Sequence, residues 1–114
     1  MVKFALKDFN TRKRECDTIR QKYPDKIPVI VQKVLNTDIP DIDKNKFLVP
    51  SDLTVAQFLY TIRKRLTLRP DQSLFLFINN ALPPSQVLLS ELYHLHKSDD
   101  GFLYINYSGE TTFG

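Results

Sequence analysis

The sequence contains one cysteine, three glycines and no long apolar run among its 114 residues. A single cysteine excludes an internal disulfide, and Cys16 lies at helical spacing from Phe9, Ile19 and Tyr23, which favours a small packing residue over a nucleophile. No run of about 18 apolar residues occurs, so no transmembrane helix is predicted. The first residues lack the apolar stretch of a signal peptide, and we therefore expect a cytoplasmic protein of one structural domain.

Sequence patterns typical of enzymes are also missing. There is no GxGxxG or P-loop motif, and no spacing of serine, cysteine and histidine indicates a nucleophile with its base. His94 and His96 are two residues apart, so on a helix they would point to different sides and make a poor metal pair. The sequence therefore favours a protein that is not an enzyme and that holds no metal and no cofactor.

Positive charge is concentrated at the N-terminal end. Residues 1–26 carry eight basic and four acidic side chains, whereas the remainder carries eight basic and nine acidic ones. This distribution fits a solvated helix face, and it equally fits a surface that binds anionic lipid or a polymer such as the microtubule. Aromatic side chains that would stack on bases are not interleaved with the basic run, which argues against nucleic acid.

Apolar periodicity and turn residues predict a mixed α+β chain. The segment 27–31 is apolar on both faces and indicates a central strand, and Thr54 forms a capping box with Gln57 at the start of the clearest helix. Lys46 and Pro50 are typical of a sheet edge. The predicted elements are a helical turn at 4–10, a helix from Asn10 or Thr11 to about Tyr23, strands at 27–31, 46–50, 74–78 and 102–108, and helices at 54–66 and 90–95. After the two helices, this order is the β-grasp pattern, in which the first and last strands pair in parallel at the centre and the other two form the edges.

Several runs along the chain resemble one known family. They are IRQKYPDKIPVIV (19–31), KFLVPSDLTVAQF (46–58), IRKR (62–65), LPP (82–84), GFLYI (101–105) and YSGETTFG (107–114). Together they resemble the autophagy ubiquitin-like modifiers of the GABARAP type, with a C-terminus similar to that of fungal and plant members. The resemblance implies an α+β, ubiquitin-like β-grasp fold with two additional N-terminal helices. The chain departs from the family pattern at Asp8-Phe9-Asn10 before the second helix, at Ala56 in place of a glycine, and at Thr61 in place of a larger apolar residue.

The resemblance also implies how such a chain is divided and used. Residues 1–24 would form a helical extension packed on the core, 25–108 the ubiquitin-like domain, and 109–114 a flexible conjugation tail. Activating and conjugating enzymes of the ubiquitin type would join Gly114 to the amine of phosphatidylethanolamine, and a processing cysteine protease would recognise Phe113. Because the chain ends at Gly114, it would be either already mature or encoded in that form. The protein would then act in autophagosome formation as a lipid-anchored protein of the autophagosome membrane, directed to the vacuole or lysosome.

The second strand is expected to be an exposed edge with free backbone N–H and C=O groups. In the family, such an edge binds a short motif of autophagy receptors and adaptors: an aromatic residue, two spacers and an aliphatic residue, often preceded by acidic residues. The resemblance assigns the aromatic pocket to Glu15, Ile19, Pro28, Ile30, Lys46, Leu48 and Phe102, the aliphatic pocket to Phe47, Val49, Pro50, Leu53, Phe58 and Thr61, and the contacts with the acids to Lys26, Lys44, Lys46 and Arg65. Lys46 and Leu48 share one strand face, which favours a pocket wall, whereas Phe58 is expected to be mostly core.

Two alternatives stay open at the level of sequence. One is a ubiquitin-like interaction domain that is never conjugated and that uses its basic N-terminal helix to bind a microtubule or a membrane surface. The other concerns the apolar run 74–78, which predicts a strand buried on one face or a second docking edge opposite the first.

Overall fold

A computed structural model describes residues 7–111 as a four-stranded mixed sheet with helices on both faces. The elements are α1 (Phe9–Lys22), β1 (Lys26–Lys33), β2 (Lys46–Pro50), α2 (Val55–Leu66), β3 (Phe75–Phe77), α3 (Leu89–His96) and β4 (Leu103–Ser108). The strand order is β2-β1-β4-β3. β1 pairs in parallel with β4 and antiparallel with β2, and β3 pairs antiparallel with β4. The predicted β-grasp arrangement is therefore confirmed, with β2 and β3 at the edges.

β1 is buried on both faces because the helices cover the sheet from each side. Val29 and Val31 belong to the large core that the sheet forms with α2 and α3, whereas Ile30 points to the opposite face and packs under α1. β1 extends past its predicted end because its parallel pairing with β4 continues as far as Lys33, opposite Tyr107.

α1 begins earlier than the sequence predicts. The expected N-cap was Asn10 or Thr11, and this expectation is wrong. The Asp8 carboxylate accepts a hydrogen bond from the backbone N–H of Thr11 at 2.8 Å, so Asp8 is the cap, and this bond lowers the pKa of Asp8. Of the separate helical turn predicted at 4–10, residues 4–6 lie outside the described residues, and residues 7 and 8 are not helical.

The predicted capping box at the start of α2 is confirmed. The hydroxyl of Thr54 accepts from the backbone N–H of Gln57 at 3.2 Å, and the side chain of Gln57 accepts from the backbone N–H of Thr54 at 2.9 Å. From this start, α2 directs Phe58 and Ile62 into the large core, where both are fully buried.

Across residues 7–111, no helix has the length and apolar character needed to cross a membrane.

β3 is shorter than the predicted strand at 74–78. Asn79 and Asn80 both adopt positive φ, and Ile78 exchanges backbone hydrogen bonds with Ala81 across the turn that they form. Asparagine tolerates this left-handed conformation better than most residues, so the turn ends the pairing with β4 early.

α1 is fastened to the sheet by a buried carboxylate. Asp100 is 1% exposed, and it accepts hydrogen bonds from Arg12 Nε at 3.0 Å, from the backbone N–H of Phe102 at 2.9 Å, and from the Tyr104 hydroxyl. Burial raises the pKa of Tyr104, and the hydrogen bond and charge of Asp100 raise it further.

Cys16 packs on the same side of the sheet. It forms a small core with Ile30 and Phe102, which confirms the interpretation as a packing residue. Burial raises the pKa of its thiol to about 11. A Cβ at Gly101 would lie 2.7 Å from the Cys16 sulfur, and Gly101 has a φ of +95°, so the close approach of α1 requires glycine at this position.

Candidate docking surface beside the second strand

β2 forms an edge of the sheet with an alternating pattern of burial. Phe47 and Val49 face the large core, whereas Lys46, Leu48 and Pro50 face outward, as predicted. Within the described range 7–111, no strand pairs with the outer edge of β2. Its backbone groups on that side are therefore oriented to accept an added strand.

The surface between α1 and β2 contains an open pocket of about 490 Å³. Its lining residues are Thr11, Arg14, Glu15, Thr18, Ile19 and Lys46. The fold thus brings together Glu15, Ile19 and Lys46 from the predicted aromatic pocket. The other three lining residues, Thr11, Arg14 and Thr18, were not predicted, although spacings of three and four residues place them on one face of α1 with Glu15.

Glu15 connects the two walls of this pocket. Its carboxylate accepts from Lys46 Nζ at 2.9 Å, across the pocket, and from Lys7 Nζ at 2.7 Å. The hydrogen bond from Lys7 lowers the pKa of Glu15, partial burial opposes this effect, and the bond and charge of Lys46 lower the pKa further. One carboxylate therefore holds two ammonium groups, and an acidic ligand would compete with it for both.

The remaining residues assigned to the aromatic pocket differ in exposure. Leu48 is 36% exposed and belongs to the outward face of β2. Ile30 and Phe102 are fully buried in the small core, and Pro28 is buried too. In this conformation these three present little surface to a ligand.

On the other side of β2, the residues assigned to the aliphatic pocket are mostly buried. Phe47, Val49 and Phe58 lie in the large core, with Phe47 and Phe58 packed edge to face at 5.8 Å, and Leu53 is partly buried against that core. Cations cover the Phe47 ring: Lys44 Nζ lies 5.1 Å from its centroid.

Arg65 is the second cation over this ring, with its guanidinium carbon 5.8 Å from the centroid of Phe47. Its Nε also donates to Asp43 at 2.9 Å. Two of the basic residues predicted to meet acidic groups thus lie together at this end of β2. A third, Lys26, is placed opposite Pro50 in the β1–β2 register, at the far end of the strand.

The open surface beside α2 is a depression of about 350 Å³ lined by Tyr60, Thr61, Lys64 and Arg65. The Thr61 hydroxyl donates to the carbonyl of Gln57 in its own helix at 3.1 Å. Tyr60 and Lys64 were not predicted as site residues. In the sequence, Tyr60 is an aromatic residue outside the apolar stripe of α2, and Lys64 follows it one turn later; this pattern would have indicated both residues. The structure agrees, since Tyr60 is 64% exposed.

Much of the positive charge in the described part of the N-terminal region is used within the protein. Lys7, Arg12 and Lys13 each form an ion pair with a carboxylate of this chain, and Arg20 donates to the carbonyl of Lys26 at 2.7 Å. The partners of Lys7 and Lys13 belong to the same segment and are already counted in its net charge, so of these contacts the one between Arg12 and Asp100 lowers the positive charge below what the composition indicates.

The other predicted features fall outside this surface. Leu74, Leu76, Phe77 and Ile78 are buried, so a second docking edge at 74–78 stays a prediction. Phe113, like Gly114, lies outside the described residues.

His96 Nδ1 lies 3.1 Å from the side-chain nitrogen of Asn79, which places it in a polar contact at the end of α3. No cluster of histidine, cysteine, aspartate and glutamate suited to a metal ion occurs in the part of the chain that the structure describes.

Comparison with known proteins gives a consistent result. A family model described as "Autophagy protein Atg8 ubiquitin like" matches residues 11–114. Autophagy-related protein 8 of Schizosaccharomyces pombe is 60% identical over 106 residues, covering 93% of this chain and 88% of the relative.

Solved structures agree with the sequence comparison. The crystal structure of Trypanosoma brucei ATG8 is 43% identical, with a TM-score of 0.90, and the match covers 100% of this chain and 99% of that one. Plasmodium falciparum Atg8, solved in complex with a Plasmodium falciparum Atg3 peptide, is 33% identical, with a TM-score of 0.87, and the match covers 94% of each chain.

Proposed function

This chain belongs to the Atg8 family of ubiquitin-like autophagy proteins, and from that premise we propose that it is a modifier conjugated through Gly114 to phosphatidylethanolamine. The observation that carries the proposal is the Phe113-Gly114 pair, which follows β4 by a short segment on a β-grasp fold of this family. In this role the protein catalyses no reaction itself, because it is the group that enzymes transfer.

The proposed chemistry explains why the last residue is glycine. The carboxylate of Gly114 attacks the α-phosphate of ATP, and pyrophosphate leaves. A cysteine thiolate of the activating enzyme then displaces AMP to form a thioester, which passes to the thiol of a conjugating enzyme. The amine of phosphatidylethanolamine finally displaces that thiolate, loses a proton and forms an amide. Glycine has no Cβ, so it can enter each narrow active site in an extended form.

The proposed partners follow from the same scheme. They are a processing cysteine protease that recognises Phe113, activating and conjugating enzymes of the ubiquitin type, and a membrane that contains phosphatidylethanolamine. The complex of the Plasmodium falciparum relative with an Atg3 peptide supports binding of a conjugating enzyme by this fold. Once lipidated, the protein would lie on the autophagosome membrane and travel with it to the vacuole or lysosome.

We also propose that β2 docks autophagy receptors and adaptors. An extended peptide added to its outer edge would place two side chains, three residues apart, on either side of Leu48, roughly 10 Å from each other. The pocket beside α1 includes Lys46 of β2, and the depression beside α2 includes Arg65, whose guanidinium lies over Phe47 of β2, so the two flank the strand on opposite faces of the sheet. Lys44, Lys46 and Arg65 supply positive charge for acidic residues beside the motif.

Reconstitution tests the conjugation proposal. The purified chain is incubated with activating and conjugating enzymes of the family, ATP, and liposomes with or without phosphatidylethanolamine. We expect a lipid adduct that requires the phosphatidylethanolamine, is detected by mass spectrometry, and is lost or strongly slowed in Gly114→Ala. A matched control is Thr111→Ala, which changes an exposed residue of the same tail segment.

Failure of this test would have a definite meaning. If the wild-type chain forms no adduct, or if Gly114→Ala is conjugated equally well, the conjugation proposal is wrong. A chain that forms no adduct but still binds a peptide with the aromatic-x-x-aliphatic motif would instead be an unconjugated ubiquitin-like interaction domain.

A further inference from the structure

The tail leaves the fold at a defined contact. Directly after β4, the backbone N–H of Gly109 donates a hydrogen bond to the Thr37 hydroxyl oxygen at 3.0 Å, and the N–H of Glu110 donates to the Ser108 hydroxyl at 3.1 Å. Thr37 lies in the loop between β1 and β2, 72 residues earlier in the chain. The beginning of the tail is thus attached to a separate part of the molecule.

Gly109 approaches this loop closely. A Cβ at Gly109 would lie 3.0 Å from Cγ1 and 3.1 Å from Cδ1 of Ile39, and 3.4 Å from the Thr37 oxygen. Ile39 is 5% exposed and belongs to the large core, so it has little room to retreat. The absence of a side chain at Gly109 is therefore part of the contact.

The loop that holds Gly109 is itself fixed to β4. The hydroxyl of Tyr107 accepts from the backbone N–H of Ile42 at 2.9 Å and donates to the carbonyl of Pro40 at 2.8 Å. Tyr107 is fully buried, and its own carbonyl accepts from the N–H of Val34 at 2.9 Å. Tyr107 of β4 therefore holds the beginning and the middle of the loop that in turn holds the tail.

A second loop limits the exit from the other side. Gln72 and Ser73, which precede β3, line a small cavity of about 160 Å³ together with Thr37, Asp38, Ile39, Gly109 and Glu110. The register of β3 on β4, with Phe75 opposite Ser108, keeps this loop in place. The tail thus begins in a cleft between two loops that the sheet positions.

We propose that Thr37 is a positioning residue for conjugation, which sets the place and direction in which the tail leaves the fold. The proposal rests on the proposed conjugation through Gly114. Five residues lead from Gly109 to Gly114, and at 3.3–3.6 Å per residue they reach roughly 18 Å at most. With so short a tether, a fixed exit raises the effective concentration of the Gly114 carboxylate at an active site aligned with it.

The test compares two substitutions at one position. Thr37→Val removes the acceptor oxygen at nearly constant volume, and Thr37→Ser retains it. Thioester formation on the activating enzyme is measured over a range of modifier concentrations. For Thr37→Val we expect kcat to fall roughly three- to tenfold, the factor set by the net contribution of one hydrogen bond, with KM unchanged. Thr37→Ser should restore the wild-type kcat.

Amide hydrogen exchange supplies an independent readout. The Gly109 amide should exchange faster in Thr37→Val than in the wild type or Thr37→Ser, while the β1 and β4 amides keep their protection. The proposal is overturned if kcat is unchanged in Thr37→Val, if only KM changes, or if Thr37→Ser loses as much activity as Thr37→Val. Because all chains are compared with a wild type that forms the thioester, failure here leaves conjugation through Gly114 intact. A wild type that forms no thioester contradicts both proposals.

Discussion

The two faces of the central sheet are covered in different ways. On the face of α2 and α3 lies a continuous apolar core, in which Phe58 and Ile62 are fully buried. On the face of α1, a small core consists of Cys16, Ile30 and Phe102. α1 therefore lacks the apolar contact area that holds α2, and its attachment depends to a greater degree on polar groups.

The polar attachment centres on Asp100, which binds Arg12 of α1 and the Tyr104 hydroxyl of β4. Hydrophobic burial is non-directional and spread over many atoms, whereas removal of one member of a buried polar cluster leaves its partners unpaired. Because α1 contributes Glu15 and Ile19 to the pocket beside β2, this polar face also positions one half of the candidate docking surface. We therefore expect the apolar face to contribute most of the global stability and the polar face to determine the geometry of that pocket.

The largest expected effect is on the apolar face. Phe58→Ala removes a fully buried ring that packs edge to face with Phe47. We expect a loss of about 3–5 kcal/mol in the free energy of unfolding, measured by urea denaturation. Hydrogen exchange should accelerate throughout the sheet, because this core holds the whole fold together.

Tyr60→Ala is the matched control, since Tyr60 is an aromatic residue of the same helix that is 64% exposed. Its effect on the unfolding free energy should stay within about 0.5 kcal/mol. If the two substitutions cost the same, the core assigned to the α2 face does not carry the stability.

The next effect is on the polar face. Asp100→Asn keeps the shape of the side chain but leaves Arg12 without its carboxylate. We expect a loss of about 2–3 kcal/mol, below the usual range for a broken buried pair, because the Arg12 side chain is 21% exposed and reaches water. In contrast to Phe58→Ala, accelerated exchange should be confined largely to α1.

Two further readouts report on the position of α1 in this variant. The Cys16 thiol, with its pKa raised to about 11 by burial, should react slowly with iodoacetamide at neutral pH in the wild type and faster in Asp100→Asn. Peptide binding beside β2 should weaken, because Ile19, an apolar residue of the pocket wall, moves with α1. Asp99→Asn, at an exposed neighbouring carboxylate, should change neither the reactivity of the Cys16 thiol nor peptide binding. Equal acceleration of exchange in α1 and α2 would contradict the separation of the two faces.

The distance along the chain between contacting residues explains how much of the fold could be predicted from the sequence. Thr54 and Gln57 are three residues apart, so their capping box is visible in the sequence, and the order of strands and helices follows from local apolar periodicity. Arg12 and Asp100 are 88 residues apart. An Asp-Gly pair is a common turn signal, and nothing near it in the chain indicates that the carboxylate is buried.

The candidate site shows the same limit. The alternation of Lys46 and Leu48 with buried neighbours follows from the two-residue period of a strand, and it was predicted. Which assigned residues remain open to a ligand depends on how α1 and α2 lie against that strand, so the burial of Ile30 and Phe102 was not foreseen. The prediction of the first residue of α1 was wrong for a local reason. Asp8, Asn10 and Thr11 are all good N-caps within one turn, and residue type alone does not decide among them.

The smallest expected effect is at the edge of the polar face, where Glu15 joins α1 to β2. Because the folded state lowers the pKa of Glu15 below its ordinary value of 4.5, its ion pairs stabilise the protein above that pH. This contribution is lost as the pH falls through the folded pKa. The side chains of Lys7 and Lys46 are 44% and 38% exposed, so Glu15→Gln should cost no more than about 1 kcal/mol at neutral pH, and less at high salt.

The pH dependence of this difference separates charge from packing. Urea denaturation of the wild type and Glu15→Gln is compared at pH 7 and at a pH below the folded pKa of Glu15, which an NMR titration of the wild type provides. The difference in unfolding free energy should vanish at the lower pH, because both side chains are then neutral. Asp17→Asn, in an exposed pair with Lys13 at 3.6 Å on the same helix, should show almost no difference at either pH. If the cost of Glu15→Gln persists in acid, Glu15 holds α1 against β2 by packing, and the contrast between a polar and an apolar face does not extend to the edge of the docking surface.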